Sequence, residues 1–234
     1  VTATDMINTP KIYKMRKEFT VSGRPDHKRI FNVLRNAVLG SGLAFEPAKI
    51  NKNWPRLAYG PVLGYAQESL GEYADIYLTQ PVSTQEARQA LAQAAGNSLT
   101  IKRVERVPYA LPSVSNLVAA ACYWLEGDFK HLSPGPGLAE FINASRAVAV
   151  ITAPNGMTRE ENIKPYVLAC EQPQADKIVL TLQTVEGKSL KPEYVVAAWL
   201  GLTIMQGEEF TVENVKFIRE GLYWRDTQGA LHRI

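Results

Sequence analysis

The chain has 234 residues, with 26 Lys/Arg against 23 Asp/Glu and a net charge of +3, long enough to bury one large domain or two small ones. Its 46% hydrophobic and 21% charged content is that of an ordinary soluble globular protein. The apolar runs Leu117–Ala121 and Ala147–Ile151 are too short to cross a bilayer. The two cysteines, Cys122 and Cys170, fit buried free thiols better than a disulfide framework, and they are too few to supply the thiolates of an iron–sulfur cluster.

No basic segment followed by an apolar core opens the chain, so a cytoplasmic protein with reduced thiols is expected. Charge is unevenly spread: residues 1–110 carry 15 Lys/Arg against 9 Asp/Glu, and residues 111–234 carry 11 against 14. Residues 1–56 alone hold 11 against 4, a hint of a polyanion-facing half.

In chain order, Lys14–Val21 alternates as a strand, and a helix is predicted from Asp26 to Leu39 on the stripe Ile30, Val33/Leu34, Ala37/Val38, ending at Gly40 or Gly42. Arg56–Tyr59 and Glu72–Leu78 read as a strand pair. In the second of these, Ala74, Ile76 and Leu78 alternate with Tyr73, Asp75 and Tyr77, the pattern of a half-buried strand. Ser83-Thr-Gln-Glu86 is a capping box for a helix that stops at Gly96, and Leu99–Val107 is the next strand. The order β-α-β-β-α-β is the ferredoxin-like pattern, and Pro108–Ser115 marks a junction between domains 1–110 and 111–234.

In the second half Leu117–Leu125 reads as a strand and Ser133–Ala144 as a loop entering a short helix. Arg146–Ala153 is expected to pair with Ile163–Cys170 around the turn Pro154–Met157. Lys177–Val185 points Ile178, Leu180 and Leu182 inward, and Pro192 opens a helix reaching about Gly201. Lys216–Arg219 and Leu222–Arg225 are strand-like. A second α+β domain, again ferredoxin-like, is the expectation; the overall class is α+β.

No metal-ligand spacing links His27, His131 and His232 with the two cysteines, and Cys122 lacks an orienting partner for nucleophilic catalysis. Ser133-Pro-Gly-Pro-Gly137 lacks the Gly-Lys-Ser/Thr ending of a phosphate loop, and its prolines remove amide donors. The basic residues carry more. Arg24, His27, Lys28 and Arg29 gather at the start of the first helix, where amides and dipole favour anions. Lys49, Lys52 and Arg56 form a second group, with Trp54 and Tyr59 as candidate stacking rings. The nine are candidate RNA-binding residues. His27 among cations would have a lowered pKa and is the one alternative catalytic base.

Several strings together resemble a radical-SAM-linked bacterial family of unknown function: Phe19–Gly23, Pro55-Arg56-Leu57, Tyr59-Gly60-Pro61, Leu63-Gly64, Glu68-Ser69, Gly71–Asp75, Asn162–Tyr166, Leu190–Tyr194 and Ile218-Arg219. Members of that family are encoded beside, or fused to, a cobalamin-binding radical SAM protein. His27 matches the His of the family's Ser-His-Leu-Asp string, but Arg29 replaces its Asp, and Lys52-Asn-Trp-Pro55 replaces its Asn-Pro-His-Pro loop. The resemblance implies an accessory chain that binds no cofactor itself and presents RNA, such as tRNA or rRNA, to a radical SAM partner. The iron–sulfur cluster, S-adenosylmethionine and cobalamin would belong to that partner. The alternatives are an RNA-processing or RNA-modifying enzyme using His27, and a pure protein adaptor using the Tyr73/Tyr77 face.

Overall fold

The computed structural model describes residues 12–21, 27–64, 67–132, 137–185, 187–206 and 211–234. The fold is mixed α+β and predominantly strand. It divides into two compact units: Val1–Val21, Lys28–Gly60 and Glu72–Leu117 form one, and Ser22–His27, Pro61–Gly71 and Val118–Ile234 the other.

The first unit contains β1 (Tyr13–Val21), α1 (His27–Gly40), β2 (Leu57–Tyr59), most of β3 (Glu68–Leu78), α2 (Thr84–Ala95), β4 (Thr100–Val107) and the turn α3 (Val114–Leu117). Its strands lie in the order β2-β3-β1-β4. Helix α1 forms on the predicted stripe: Ile30, Leu34, Ala37 and Val38 are buried at helical spacing. Past Gly40 the Ser41 hydroxyl donates to Val38 O at 2.7 Å, and Gly42 takes φ +72°, a turn that favours glycine. The capping box of α2 is complete: Glu86 N donates to Ser83 Oγ at 3.1 Å, and Ser83 N to Glu86 Oε2 at 3.0 Å. Ala87, Leu91 and Ala95 then face the core one turn apart.

Strand β3 differs from expectation in two ways. It begins at Glu68, four residues early, and every residue from Gly71 to Leu78 is buried rather than every second one. The reason is that both faces are occupied. Asp75 is covered by Arg16 and Val114, and Tyr77 by Arg56 and Tyr109. Alternation in sequence reports side-chain polarity, and here a polar face is buried by pairing.

The second unit contains the start of β3, then β5 (Ala120–Gly127), α4 (Phe129–Leu132), α5 (Leu138–Asn143), β6 (Val148–Thr152), β7 (Thr158–Asn162), β8 (Val167–Gln174), β9 (Lys177–Val185), β10 (Lys188–Ser189), α6 (Pro192–Trp199), β11 (Thr203–Met205), β12 (Val215–Arg225) and β13 (Leu231–Arg233). The main sheet runs β10-β9-β5-β12, with β8 on β9, β13 on β12, and β12 parallel to β3 at Ile218↔Glu68 and Arg219↔Ser69. A separate sheet has the order β11-β6-β7. Ile178, Leu180 and Leu182 are buried as predicted. Positions 133–136, where the sequence suggests a rigid loop, lie outside the described residues.

The structure corrects three readings of the sequence. β6 pairs with β7, not with 163–170, because the Pro154–Met157 turn is tight and returns the chain at once: Gly156 N donates to Ala153 O, and Ala153 N to Met157 O. β5 starts at Ala120 because residues 114–117 form a helical turn, with Asn116 N and Leu117 N both donating to Ser113 O. The strands expected at 216–219 and 222–225 are one strand, β12, bulged between Arg219 and Gly221. The element order after Val118 has more strands than a β-α-β-β-α-β unit.

Candidate functional site

The chain between α1 and β2 is tied down by its own backbone. Glu46 N donates to Tyr77 O at 2.8 Å, Arg56 N to Glu46 O at 2.7 Å, and Ala48 N to Trp54 O at 2.7 Å. Pro47 bridges Pro55, and an Asx turn joins Asn53 N to Asn51 Oδ1 at 2.9 Å. This closed loop carries Lys49, Ile50 and Lys52 outward, and Ile50 is 89% exposed. Trp54 is 38% exposed, and the Arg35 guanidinium of α1 lies 4.2 Å from its ring centre. Arg35 is in turn held by Asn32 Oδ1 at 2.6 Å. Across residues 27–60 there are six Lys/Arg and one carboxylate, Glu46.

That carboxylate is taken by Arg56, whose Nη1 donates to Glu46 Oε2 at 2.9 Å and to the Tyr109 hydroxyl at 3.0 Å. The same guanidinium sits 4.0 Å from the Tyr77 ring centre. Tyr59 packs edge-on against Phe31 with centroids 4.4 Å apart, and burial pushes its hydroxyl pKa up. Arg56 and Tyr59 are therefore engaged in intramolecular packing, while Lys49, Lys52 and Trp54 face outward.

Beneath the 108–113 segment lies a buried ion cluster. Arg16 bonds Asp75 through Nε–Oδ1 at 2.8 Å and Nη2–Oδ2 at 3.2 Å, and Val114 N donates to the same Asp75 Oδ2 at 2.8 Å. Arg16 Nη2 also reaches Pro112 O, and Lys14 Nζ donates to the carbonyls of Tyr109, Leu111 and Pro112. Lys14 and Lys17 are at most 1% exposed and Arg16 is 9% exposed, so these three cations do not present charge to a polyanion. Lys17 Nζ has no hydrogen-bond partner among the described residues, and burial lowers its pKa to about 7.

In the second unit a further buried polar cluster forms. Arg219 donates from Nη1 to Pro61 O at 2.9 Å and from Nη2 to Val62 O at 3.0 Å, and Ser69 Oγ donates to Arg219 O at 3.3 Å. Gly64 N donates to Gln67 Oε1 at 3.0 Å. Glu193, in the first turn of α6, is buried, and desolvation raises its carboxyl pKa, with Gln67 and Arg219 opposing the rise. A Cβ at Gly64 would collide with Gln67 Nε2 and lie 2.5 Å from Glu193 Oε1, so only glycine fits. A nearby cavity of about 10 Å³, lined in part by Pro61, Tyr123 and Leu190, has room for about one water. These contacts fasten the chain on either side of residues 65–66 to β12 and α6.

Among the described residues no group of three or more His, Cys, Asp or Glu is arranged to hold a metal ion. Cys122 and Cys170 are free thiols whose pKa values burial pushes up, Cys170 to about 11, which disfavours the reactive thiolate. No helix among the described residues is long and apolar enough to cross a membrane.

A family model described as "Uncharacterized protein conserved in bacteria (DUF2344)" matches residues 52–192. The chain belongs to that family. No curated relative matches it.

The DUF2344 match takes in Lys52, Trp54, Arg56 and Tyr59 of the predicted RNA-binding set, together with Asp75, Gly64 and Gln67 of the buried clusters. Lys49, Arg35 and α1 precede it, and Glu193 and Arg219 follow it. Arg24 lies outside the described residues. His27, Lys28 and Arg29 form the first turn of α1, and only their backbone is described. Tyr73 and Tyr77, the expected adaptor face, are each 5% exposed. Arg35 is absent from the sequence candidates. Its signal is that of a polar-side residue of the predicted helix, and helical spacing alone does not reveal which loop ring it will cover.

Proposed function

We propose that this DUF2344 chain is an accessory RNA-binding module, with the loop Pro47–Pro55 and the adjoining face of α1 as its RNA contact. The observation that carries this reading is the Arg35–Trp54 pair on a backbone-tethered loop whose exposed charges are Lys49 and Lys52. With Glu46 held by Arg56, the only carboxylate in residues 27–60 is already compensated. Lysines supply a sequence-independent attraction for phosphates, and the indole supplies a surface for a base.

The first unit is read as ferredoxin-like. Its order β4-β1-β3-β2, with helices α1 and α2 joining β1 to β2 and β3 to β4, supports this. The partner is read as a radical SAM enzyme that performs the modification and carries the iron–sulfur cluster, S-adenosylmethionine and cobalamin. The support for that step is the set of strings from Pro55 to Asp75 and from Leu190 to Tyr194. RNA affinity of the isolated chain, measured as salt is raised, tests the reading. Binding that is absent at low salt, or insensitive to salt, contradicts it.

A further inference from the structure

We infer that Trp54, backed by Arg35 and accompanied by Ile50, receives one unpaired base, so that the site takes single-stranded RNA in preference to a duplex; this rests on the RNA-binding reading above. The backbone that carries the ring is held on both sides. Trp54 N donates to Asn51 O at 3.1 Å, and Trp54 O accepts from Ala48 N at 2.7 Å, while the next residue, Pro55, is buried and bridged to Pro47. One face of the indole is occupied by the Arg35 guanidinium, which Asn32 anchors within α1. Trp54 is nonetheless 38% exposed. An aromatic ring on a tethered backbone, with a cation against one face, offers a π surface to a ligand, and the loop needs little ordering on binding.

Such a surface reads the face of a base, not its edge. In a duplex the faces are hidden by stacking and only groove edges are presented, so a face-reading site selects unpaired nucleotides. Ile50, 89% exposed at the loop tip, adds an apolar contact that phosphate binding alone does not call for. Lys49 and Lys52 lie on either side of it in sequence and are exposed, placed to follow a flexible backbone rather than to discriminate bases.

The test compares the affinity of the full chain for a labelled oligouridine strand and for the same strand annealed to oligoadenine, at one low salt concentration. The single strand is expected to bind more tightly. Trp54→Ala should weaken it by about tenfold or more and narrow the preference over duplex, whereas Trp54→Phe should keep most of both. Arg35→Gln and Ile50→Ser, at positions outside the core, should each produce a smaller loss in the same direction. Equal wild-type affinity for strand and duplex, or a Trp54→Ala loss of the same factor for both, overturns the base-receptor inference while leaving the RNA reading standing. If neither the strand nor the duplex binds, the RNA reading itself is overturned and this inference with it.

Discussion

Arg16 and Asp75 meet through two parallel hydrogen bonds beneath the 108–114 segment, and the Asp75 carboxylate is fully buried. The pair joins β1 to β3, and Val114 N adds a third bond to the carboxylate. Removing one partner of a buried pair leaves the other charge uncompensated. Asp75→Asn is therefore expected to lower unfolding free energy by about 3–5 kcal/mol, measured by urea denaturation. A double change, Arg16→Met with Asp75→Leu, should recover much of that loss.

Lys17 gives the opposite sign. Its folded pKa is about 7 against an ordinary value of 10.5, and burial is the cause. Between those values the unfolded chain binds more protons than the folded one, so the contribution of Lys17 makes stability rise as pH increases from about 7 to 10.5. Lys17→Met should stabilise the protein most below pH 7, and its advantage over wild type should shrink at higher pH. Thermal melts of both chains across that range check this; a constant difference would refute it.

Gly64 is expected to tolerate no side chain. Gly64→Ala drives a methyl against the buried Gln67 and Glu193 ends, which are packed at 1% and 3% exposure and have little room to swing away. A loss of about 1–3 kcal/mol is expected, read from the denaturation midpoint at unchanged slope.

Glu193 should contribute a pH dependence of its own. Its folded pKa is raised by burial above 4.5, so the folded state keeps a proton that the unfolded state has released. The associated stability is present below pH 4.5 and is lost as pH rises through the raised value. Glu193→Gln should remove that slope, measured by melts through the acid range, and should be at least as stable as wild type at neutral pH.

Local chemistry carried much of the fold into the sequence. The capping box at Ser83–Glu86, the stripe Ile30–Leu34–Ala37–Val38 and the alternation of Ile178, Leu180 and Leu182 each depend on near neighbours, and each is found as read. What was hidden depends on distant partners. Thr158–Asn162 is a strand of Thr, Arg, two Glu and Asn, recognisable only once β6 supplies its ladder. Lys14, Arg16 and Lys17 look like surface charge in one dimension. They are buried because residues 75 and 109–114 arrive from far along the chain, or, for Lys17, with no partner among the described residues.

The candidate interface divides the same way. The exposure of Lys49, Lys52 and Trp54 was legible because a polar loop bounded by prolines stays at the surface. Arg56 and Tyr59 carry the same residue chemistry, but Tyr77, Tyr109, Glu46 and Phe31 occupy them. Arg35 enters the site through packing of α1 on the loop, which no spacing rule supplies.

The most direct test of the account is the salt dependence of RNA binding by the wild-type chain and by Lys49→Glu/Lys52→Glu. Both lysines are exposed and lie outside the core, so the variant should fold normally. Wild-type affinity should fall linearly on a log–log plot as salt rises. The variant should bind more weakly at low salt, with a slope shallower by about 1.4 for two lost phosphate contacts on a single strand. Identical affinity and slope for the two chains would contradict the assignment of this loop as the RNA contact.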